Sequence, residues 1–548
     1  MAKLKNQGGL RFTFAVALAL LIPLTITHAG GGGIAAATDN PARAIHVAPT
    51  EPAWDDAARL AELARRRAQV AEFAGAKAVV VLFGGEPRVY AGDVDYEFRQ
   101  ENNFFYLTHL NQEGATLVMM PGAAKYREVL FLPRRNPASE VWTGHTYSPE
   151  EAHKLSGVGE VWDAAEFEPF MRQLRLRRLY RPKDESVLLS QSPPPAPDAT
   201  ASAANASQVA PAQGGGDALL SAMAQGDASL FLLRTREDES REFRREQNLA
   251  AEWAKSDRGL TIRNVLPVFT QMRQVKSPAE LLLMQHAVDI TTEALERAMS
   301  VAAASGWEYE VEAEVDYTFK RRHADNWGYP SIVGCGADAT TLHYEESGGR
   351  VSRGDLLLMD VGAEYRHYSA DVTRTFPVSG RFSPAQAEIY NAVYAASEAA
   401  MRAARPGATL AEVHNAALES IRDSLLRLGL VTDRNSSQYR LYFMHGTSHW
   451  LGMNVHDVGA GARRLEPGMV FTIEPGIYVR ADALDNLPKT PENLKFIEAV
   501  RPAFEKYKNI GVRIEDDVAI TAEGHRNMTA ALPRSLADVE ALMARLSR

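Results

Sequence analysis

An acidic side chain inside or at the end of an apolar strand is costly unless something pairs with it, and the second half of this chain places four there. Asp360 directly follows the apolar residues 356–359, and Asp371 begins an alternating run 371 − 360 = 11 positions later. Glu474 closes the largely apolar run 469–473, and Glu515 follows Val512, Arg513 and Ile514. Arg374 and Arg513 are the basic residues beside them, and either could be a plain salt-bridge partner. Between the two pairs runs MHGTSHWLGMNVHDV, residues 444–458, which sets His445, His449 and His456 in a glycine-punctuated segment. One of these imidazoles can complete a metal site. Taken singly, each residue has an ordinary reading, since a buried hairpin aspartate is often a turn or ion-pair residue and a loop histidine is often satisfied locally. Taken together, four carboxylates and one imidazole form a mostly hard ligand set suited to Mn²⁺, Co²⁺ or Zn²⁺. Cys335 is the only cysteine, so no thiolate set competes.

Residues 355–376, DLLLMDVGAEYRHYSADVTRTF, read as a β-hairpin of apolar run, polar turn and alternating return. A hairpin of that length can put Asp360 and Asp371 on one face. Ser277 with Glu280, Ser383 with Gln386, and Thr409 with Glu412 are capping boxes, the first two with proline at the first helical position. They predict helices over 278–303, 384–403 and 410–428, with a further helix over 308–323 and strands within 330–376 and 440–520. The order helix, helix, strands occurs twice, which predicts two similar halves about a pseudo-twofold axis.

The 548 residues exceed the roughly 250–300 at which a single core stops growing, so at least two domains are expected. A helix over 54–73 and β-type runs at 78–83, 115–120 and 128–132 suggest a small mixed α/β domain over 51–270, ahead of a second domain over 271–548. Within the first, residues 192–227 are rich in Pro, Gly, Ala and Ser and read as a disordered surface insertion. Lys3, Lys5 and Arg11 precede an apolar run over 12–26, and Ala29 closes a small-residue site, the pattern of a secretory signal peptide over 1–29. A flexible linker over 30–50 would follow. The apolar run is too short for a stable membrane span and Pro23 interrupts it. Export to the periplasm or the medium is therefore expected, with no intrachain disulfide available. The formal net charge of −9 gives no basis for nucleic-acid binding. The Arg runs at 65–67 and 172–181 lie in helix-like segments of mixed sign and read as solvated faces.

The stretches LLLMDVGAEY, SADVTRTFP, HGTSHWLGMNVHDVG, LEPGMVFTIEPGIY and GVRIEDDVAIT together resemble the metallopeptidases of the pita-bread fold, and most closely the aminopeptidase P (Xaa-Pro aminopeptidase) subfamily. Upstream, YEFRQENNFFYLTHL and ASEVWTG resemble that subfamily's creatinase-like N-terminal domain. The resemblance implies an α/β (α+β) fold with a C-terminal pita-bread domain behind a smaller N-terminal one. It implies two divalent ions, Mn²⁺ first, on Asp360, Asp371, His449, Glu474 and Glu515, with Asp371 and Glu515 bridging. His343, in TLHYEE, matches the family histidine near the substrate, and His445 and His456 match its other active-site histidines. Arg513 and Asp93 match supporting charged positions, Arg513 at the catalytic centre and Asp93 toward the substrate. Trp142 resembles a tryptophan that reaches a neighbouring subunit's pocket in some relatives, which hints at a homo-oligomer.

Two ions sharing a water bring its pKa near neutrality, so that it attacks the scissile carbonyl while the ions and an imidazole stabilise the oxyanion. Glu474 is the expected proton acceptor and shuttle to the leaving nitrogen. The implied substrates are peptides with a free amino terminus and proline second. A prolidase, confined to dipeptides, would share the same ligands and histidines. A methionine aminopeptidase does not need the large N-terminal domain, a creatinase-like hydrolase lacks this metal set, and a non-catalytic peptide-binding module would have lost ligands. The signal peptide, the insertion and the segment 481–508 depart from the family, and the last is expected to bear on the length of peptide admitted.

Overall fold

Residues 78–83, AVVVLF, are apolar at every position because the strand Ala78–Phe83 is buried on both faces. Val80 and Leu82 join the core that continues into the second half, whereas Val79, Val81 and Phe83 join a separate core with Trp162, Phe170 and Leu230. The strand sits inside a seven-stranded mixed sheet ordered Val187–Ser190, Glu160–Asp163, Glu128–Leu132, Thr116–Met119, Ala78–Phe83, Ser229–Leu232 and Thr261–Asn264. This computed structural model describes residues 45–178, 180–191, 217–234, 243–255 and 261–547. Among them, no helix is long and apolar enough to cross a membrane.

The expected signal peptide over 1–29 and most of the linker lie outside the described residues, as do 192–216 of the expected insertion. At their described ends, 45–50 and 217–227, both stretches are held by specific contacts. The amides of His46 and Ala48 donate to Glu296 at 2.6 Å and Glu293 at 2.9 Å, because the helix Pro278–Ala302 buries these carboxylates and they need donors. Residues 217–227 carry the helix Ala218–Gln225, capped by the Asp217 side chain and closed by Gly226 in the left-handed conformation. Leu219, Leu220 and Met223 bury themselves in the core with Trp162, so apolar spacing overrides the small-residue composition.

All three capping boxes form, and the helices Pro278–Ala302, Pro384–Ala403 and Leu410–Arg427 start where they were expected. Each pair of helices leads into a three-stranded sheet. The first is ordered Ile332–Cys335, Leu356–Val361, Val372–Pro377, and the second Val470–Ile473, Asp516–Ile520, His525–Asn527. The Glu515 amide donates to the Thr373 carbonyl at 3.1 Å and joins the two sheets. Arg374 seals the junction from behind, with its fully buried guanidinium on the Glu515 carbonyl at 2.5 Å and the Asp516 carboxylate at 2.7 Å. The hairpin over 355–376 is more elaborate than a simple turn. Its tip, Ala363–Tyr365 and Tyr368–Ser369, pairs with itself and with Asn326–Trp327 as a separate sheet. The segment 481–508 holds the helix Pro491–Tyr507, which buries Phe496, Val500 and Phe504.

The first half grips the second at the loop that follows His449. Arg99 donates to both Glu364 oxygens and to the Met453 carbonyl, and Asn102 donates to Asn454 at 2.7 Å. Asn103 accepts from Arg273 at 2.8 Å, and Arg273 also holds the buried Asp457 carboxylate at 2.5 Å. Asp457 directly follows His456, so this chain of contacts fixes where that histidine can stand.

Candidate metal centre

Strand register brings the four acids to one place. Asp360 lies opposite Thr373, so their side chains share a face, and Asp371 precedes Thr373 by two residues on that same face. In the second sheet Ile473 lies opposite Asp516, which leaves Glu474 and Glu515 facing each other just past the paired ends. The Glu515–Thr373 bond then sets the two pairs side by side. Asp371, His449 and Glu515 each offer a ligand atom, all within 4.8 Å of one another. His449 Nε2 is 3.2 Å from Asp371 and 3.6 Å from Glu474. Asp360 is tied to Asp371 through the Tyr329 hydroxyl, at 2.5 and 2.6 Å from the two carboxyl groups.

The charges explain why a cation belongs there. Burial pushes the carboxyl of Asp371 up and Glu474 up to about 8, and it pushes Glu515 well above the carboxylate range, where Asp371 and Asp360 add their repulsion. Burial alone would lower His449, but its hydrogen bond to Asp371 and the Asp371 and Glu474 charges outweigh that and bring it up to about 9. Among these acids Asp360 has a buried cation in direct contact, Arg513 at 2.5 Å. A divalent ion fits this donor set, being matched by hard oxygen ligands and one imidazole and relieving the repulsion that raises the carboxyl groups.

The other singled-out residues divide. Arg513 is buried and donates to Thr373 at 3.0 Å, Tyr478 at 2.8 Å and Asp360, so it holds neighbours in place. His445 receives the Tyr478 hydroxyl at Nε2, 3.0 Å away, and directs Nδ1 to the Gly446 carbonyl at 2.7 Å. Burial and the Arg513 charge lower it to about 4, so it stays neutral, with both nitrogens engaged inside the protein. His456 packs edge-on against His449 with ring centres 4.4 Å apart, and burial, then the His449 charge and His343 among others, lowers it. His343 is exposed on its loop. Asp93 sits exposed in the turn between Val89–Ala91 and Val94–Asp95, and no hydrogen bond or ion pair among the described residues links it to the cluster. Trp142 is 88% exposed.

Tyr329 and Tyr478 touch the centre and were not singled out in the sequence. Tyr478 could have been noticed, since it lies in the same strand motif as Glu474. Tyr329 gave no signal, because its partners are 31 and 42 residues away. A separate cleft of about 820 Å³, lined by Trp54, Phe105, His109 and His367 among others, contains none of the clustered acids.

The fold and the buried carboxylate–histidine centre define a metallopeptidase with a two-part catalytic domain. Residues 282–522 match the model of metallopeptidase family M24, and residues 63–180 match the aminopeptidase P N-terminal domain. The chain is 32% identical to the Xaa-Pro aminopeptidase of Escherichia coli over 88% of this chain and 97% of that one. It is 33% identical to Xaa-Pro aminopeptidase 1 of Streptomyces coelicolor, over 89% and 88%. Among solved structures it is similar to zinc-substituted E. coli aminopeptidase P in complex with product, with TM-score 0.71 and 30% identity over 89% of this chain and 99% of that one. It is likewise similar to Pseudomonas aeruginosa aminopeptidase PepP, with TM-score 0.70 and 29% identity over 89% and 98%. The chain belongs to the Xaa-Pro aminopeptidase family, a family of metallo-aminopeptidases.

The pH dependence of the metal-free protein follows from the raised groups. Glu474 goes from about 4.5 unfolded to about 8 folded, and His449 from 6.5 to about 9. Each folded form binds its proton more tightly, so the stability contributed is full below the unfolded value and is lost as pH rises through the folded one. Thermal unfolding after chelation should therefore show a melting temperature that falls between pH 5 and 9. Added Mn²⁺ should restore it at pH 8 and have little effect at pH 5, whereas an equal shift at both values would contradict this arrangement.

Proposed function

We propose that this protein removes the N-terminal residue from peptides with proline in second position, using two divalent ions, Mn²⁺ for preference. The ligands in this reading are Asp360, Asp371, His449, Glu474 and Glu515, with Asp371 and Glu515 shared. The observation that carries it is the buried meeting of Asp371, His449 and Glu515 within 4.8 Å, in a chain whose relatives are named for this activity. The N-terminal domain match and the same relatives do not favour a prolidase.

When bound, the ions supply polarisation of the scissile carbonyl and a water acidic enough to attack near neutral pH. The chain's own residues do the rest. Glu474, buried beside His449 and His445, takes the proton of the attacking water and returns it to the leaving nitrogen. A prolyl nitrogen carries no N–H in the peptide and leaves once protonated, so the reaction needs a group that carries a proton from the water to it. Arg513 donates to Tyr478, which turns the Tyr478 proton toward His445 and fixes that imidazole as a neutral wall of the site. In this reading His456 and His343, both exposed, are the histidines that meet the peptide.

Export through the signal peptide over 1–29 and a homo-oligomer with Trp142 at a subunit contact complete the proposal. The neighbouring Val141 is 80% exposed, which leaves an apolar pair in water on a single chain. Protein recovered from the periplasm or the medium should begin at Gly30 and sediment above the mass of one chain. An intact Met1 or a monomer would contradict these points.

The activity itself is tested by Mn²⁺-dependent release of the first residue from Ala-Pro-Ala, beside Ala-Pro and Ala-Ala-Ala. Cleavage of the proline tripeptide alone is expected, with Glu474→Ala slower by roughly 10² to 10⁴-fold. Cleavage of the dipeptide alone would mean a prolidase, and no metal-dependent cleavage would mean a binding module.

A further inference from the structure

The loop that carries His343 leaves the strand Ile332–Cys335 and returns at Gly349, with one short turn, Asp338–Thr340, on the way. Its two ends meet a single side chain. Glu308 opens the helix Glu308–Arg321 and is fully buried. One of its carboxyl oxygens accepts the Cys335 amide and the other the Gly349 amide, both at 2.6 Å. The Tyr344 hydroxyl accepts the Gly348 amide at 3.1 Å, just before the Gly349 end of the loop. The Glu308 amide donates back to the Gly349 carbonyl at 3.1 Å. Glycine is needed at 349, since a Cβ there would come within 2.8 Å of both Glu308 oxygens.

The opposite side of the loop rests on the catalytic wall. Ala339 packs with Ile332, Leu358 and Tyr478, and Leu342 and Tyr344 join that cluster. A Cβ at Gly511 would overlap the Ala339 carbonyl, so the loop lies directly on the strand Gly511–Arg513 that carries Arg513. Leu342 and Tyr344 pack toward that cluster, and His343 between them is exposed.

We infer that Glu308 is a positioning residue for the reaction: by binding both ends of this loop it holds the His343 segment against the Leu358 and Tyr478 wall of the metal centre. The hydrogen bonds of Glu308 go to the loop ends and to none of the clustered acids, so its effect passes through the loop that carries His343. This inference rests on the peptidase reading above for the part His343 plays.

A double-mutant cycle on the metal-loaded protein tests it. Glu308→Ala should lower kcat/KM for Ala-Pro-Ala by roughly 10- to 100-fold with metal content unchanged. In a His343→Ala background the same change should cost less than about twofold, because the loop then has nothing to present. Tyr344→Phe, which removes the acceptor of the Gly348 amide and spares the fold, should show the same non-additivity at a smaller size. Equal losses in both backgrounds, or no loss in the first, would overturn the inference. Amide hydrogen exchange gives a readout that does not need turnover. Residues 336–348 should exchange faster in Glu308→Ala and residues 356–361 should not, and unchanged loop exchange would overturn the clamp even if the protein cleaves no proline peptide.

Discussion

Holding several carboxyl groups together away from water is the constraint on which the rest of this molecule depends. Each acid at the centre is desolvated, and at Glu515 the charges of Asp371 and Asp360 add to that cost. Protein groups relieve part of it: Arg513 takes one oxygen of Asp360, and Tyr329 spans Asp360 and Asp371 with a neutral hydroxyl. The remainder calls for a cation small enough to sit among Asp371, His449 and Glu515, and divalent metal binding supplies it. The lone imidazole raised to about 9 is the same demand seen from the other side, a cationic proton held where a metal belongs.

The repeated architecture is what makes such a cluster buildable. Each half ends its strands in one acid pair, and antiparallel register decides which side chains face each other, so two strand pairs deliver four acids to one point. The bond from Glu515 to Thr373 and the Arg374 seal hold the halves together where a small shift would separate the ligands. The N-terminal domain contributes at a distance. Through Asn102, and through Asn103 acting on Arg273, it anchors the loop over 453–457, and so the place of His456, although none of the clustered acids comes from it.

Much of this was legible in the chain because the signals are local. A capping box specifies a helix start within four residues, and Ser277, Ser383 and Thr409 each proved to be one. Acids at the ends of apolar runs pointed to the cluster for the same reason, since the cost of burying them is written beside them. What stayed hidden depends on contacts between distant residues. Tyr329, the Glu308 clamp and the grip of Asn103 on Arg273 join positions tens to hundreds of residues apart, and no spacing rule reaches that far. Composition also misled where apolar spacing was sparse, as at Ala218–Gln225, whose buried leucines outweigh the small residues around them. Asp93 resembled a site residue in sequence, and within one chain its hairpin leaves it in solvent.

The proposal with most at stake is that the buried acids hold a pair of divalent ions. Anomalous diffraction from crystals grown with Mn²⁺ tests it most directly. Two peaks are expected, both within bonding distance of Asp371 and Glu515, with His449 on one of them, and both should vanish in Asp371→Asn. A single peak, or none at the cluster while the protein remains folded and active, would contradict the account.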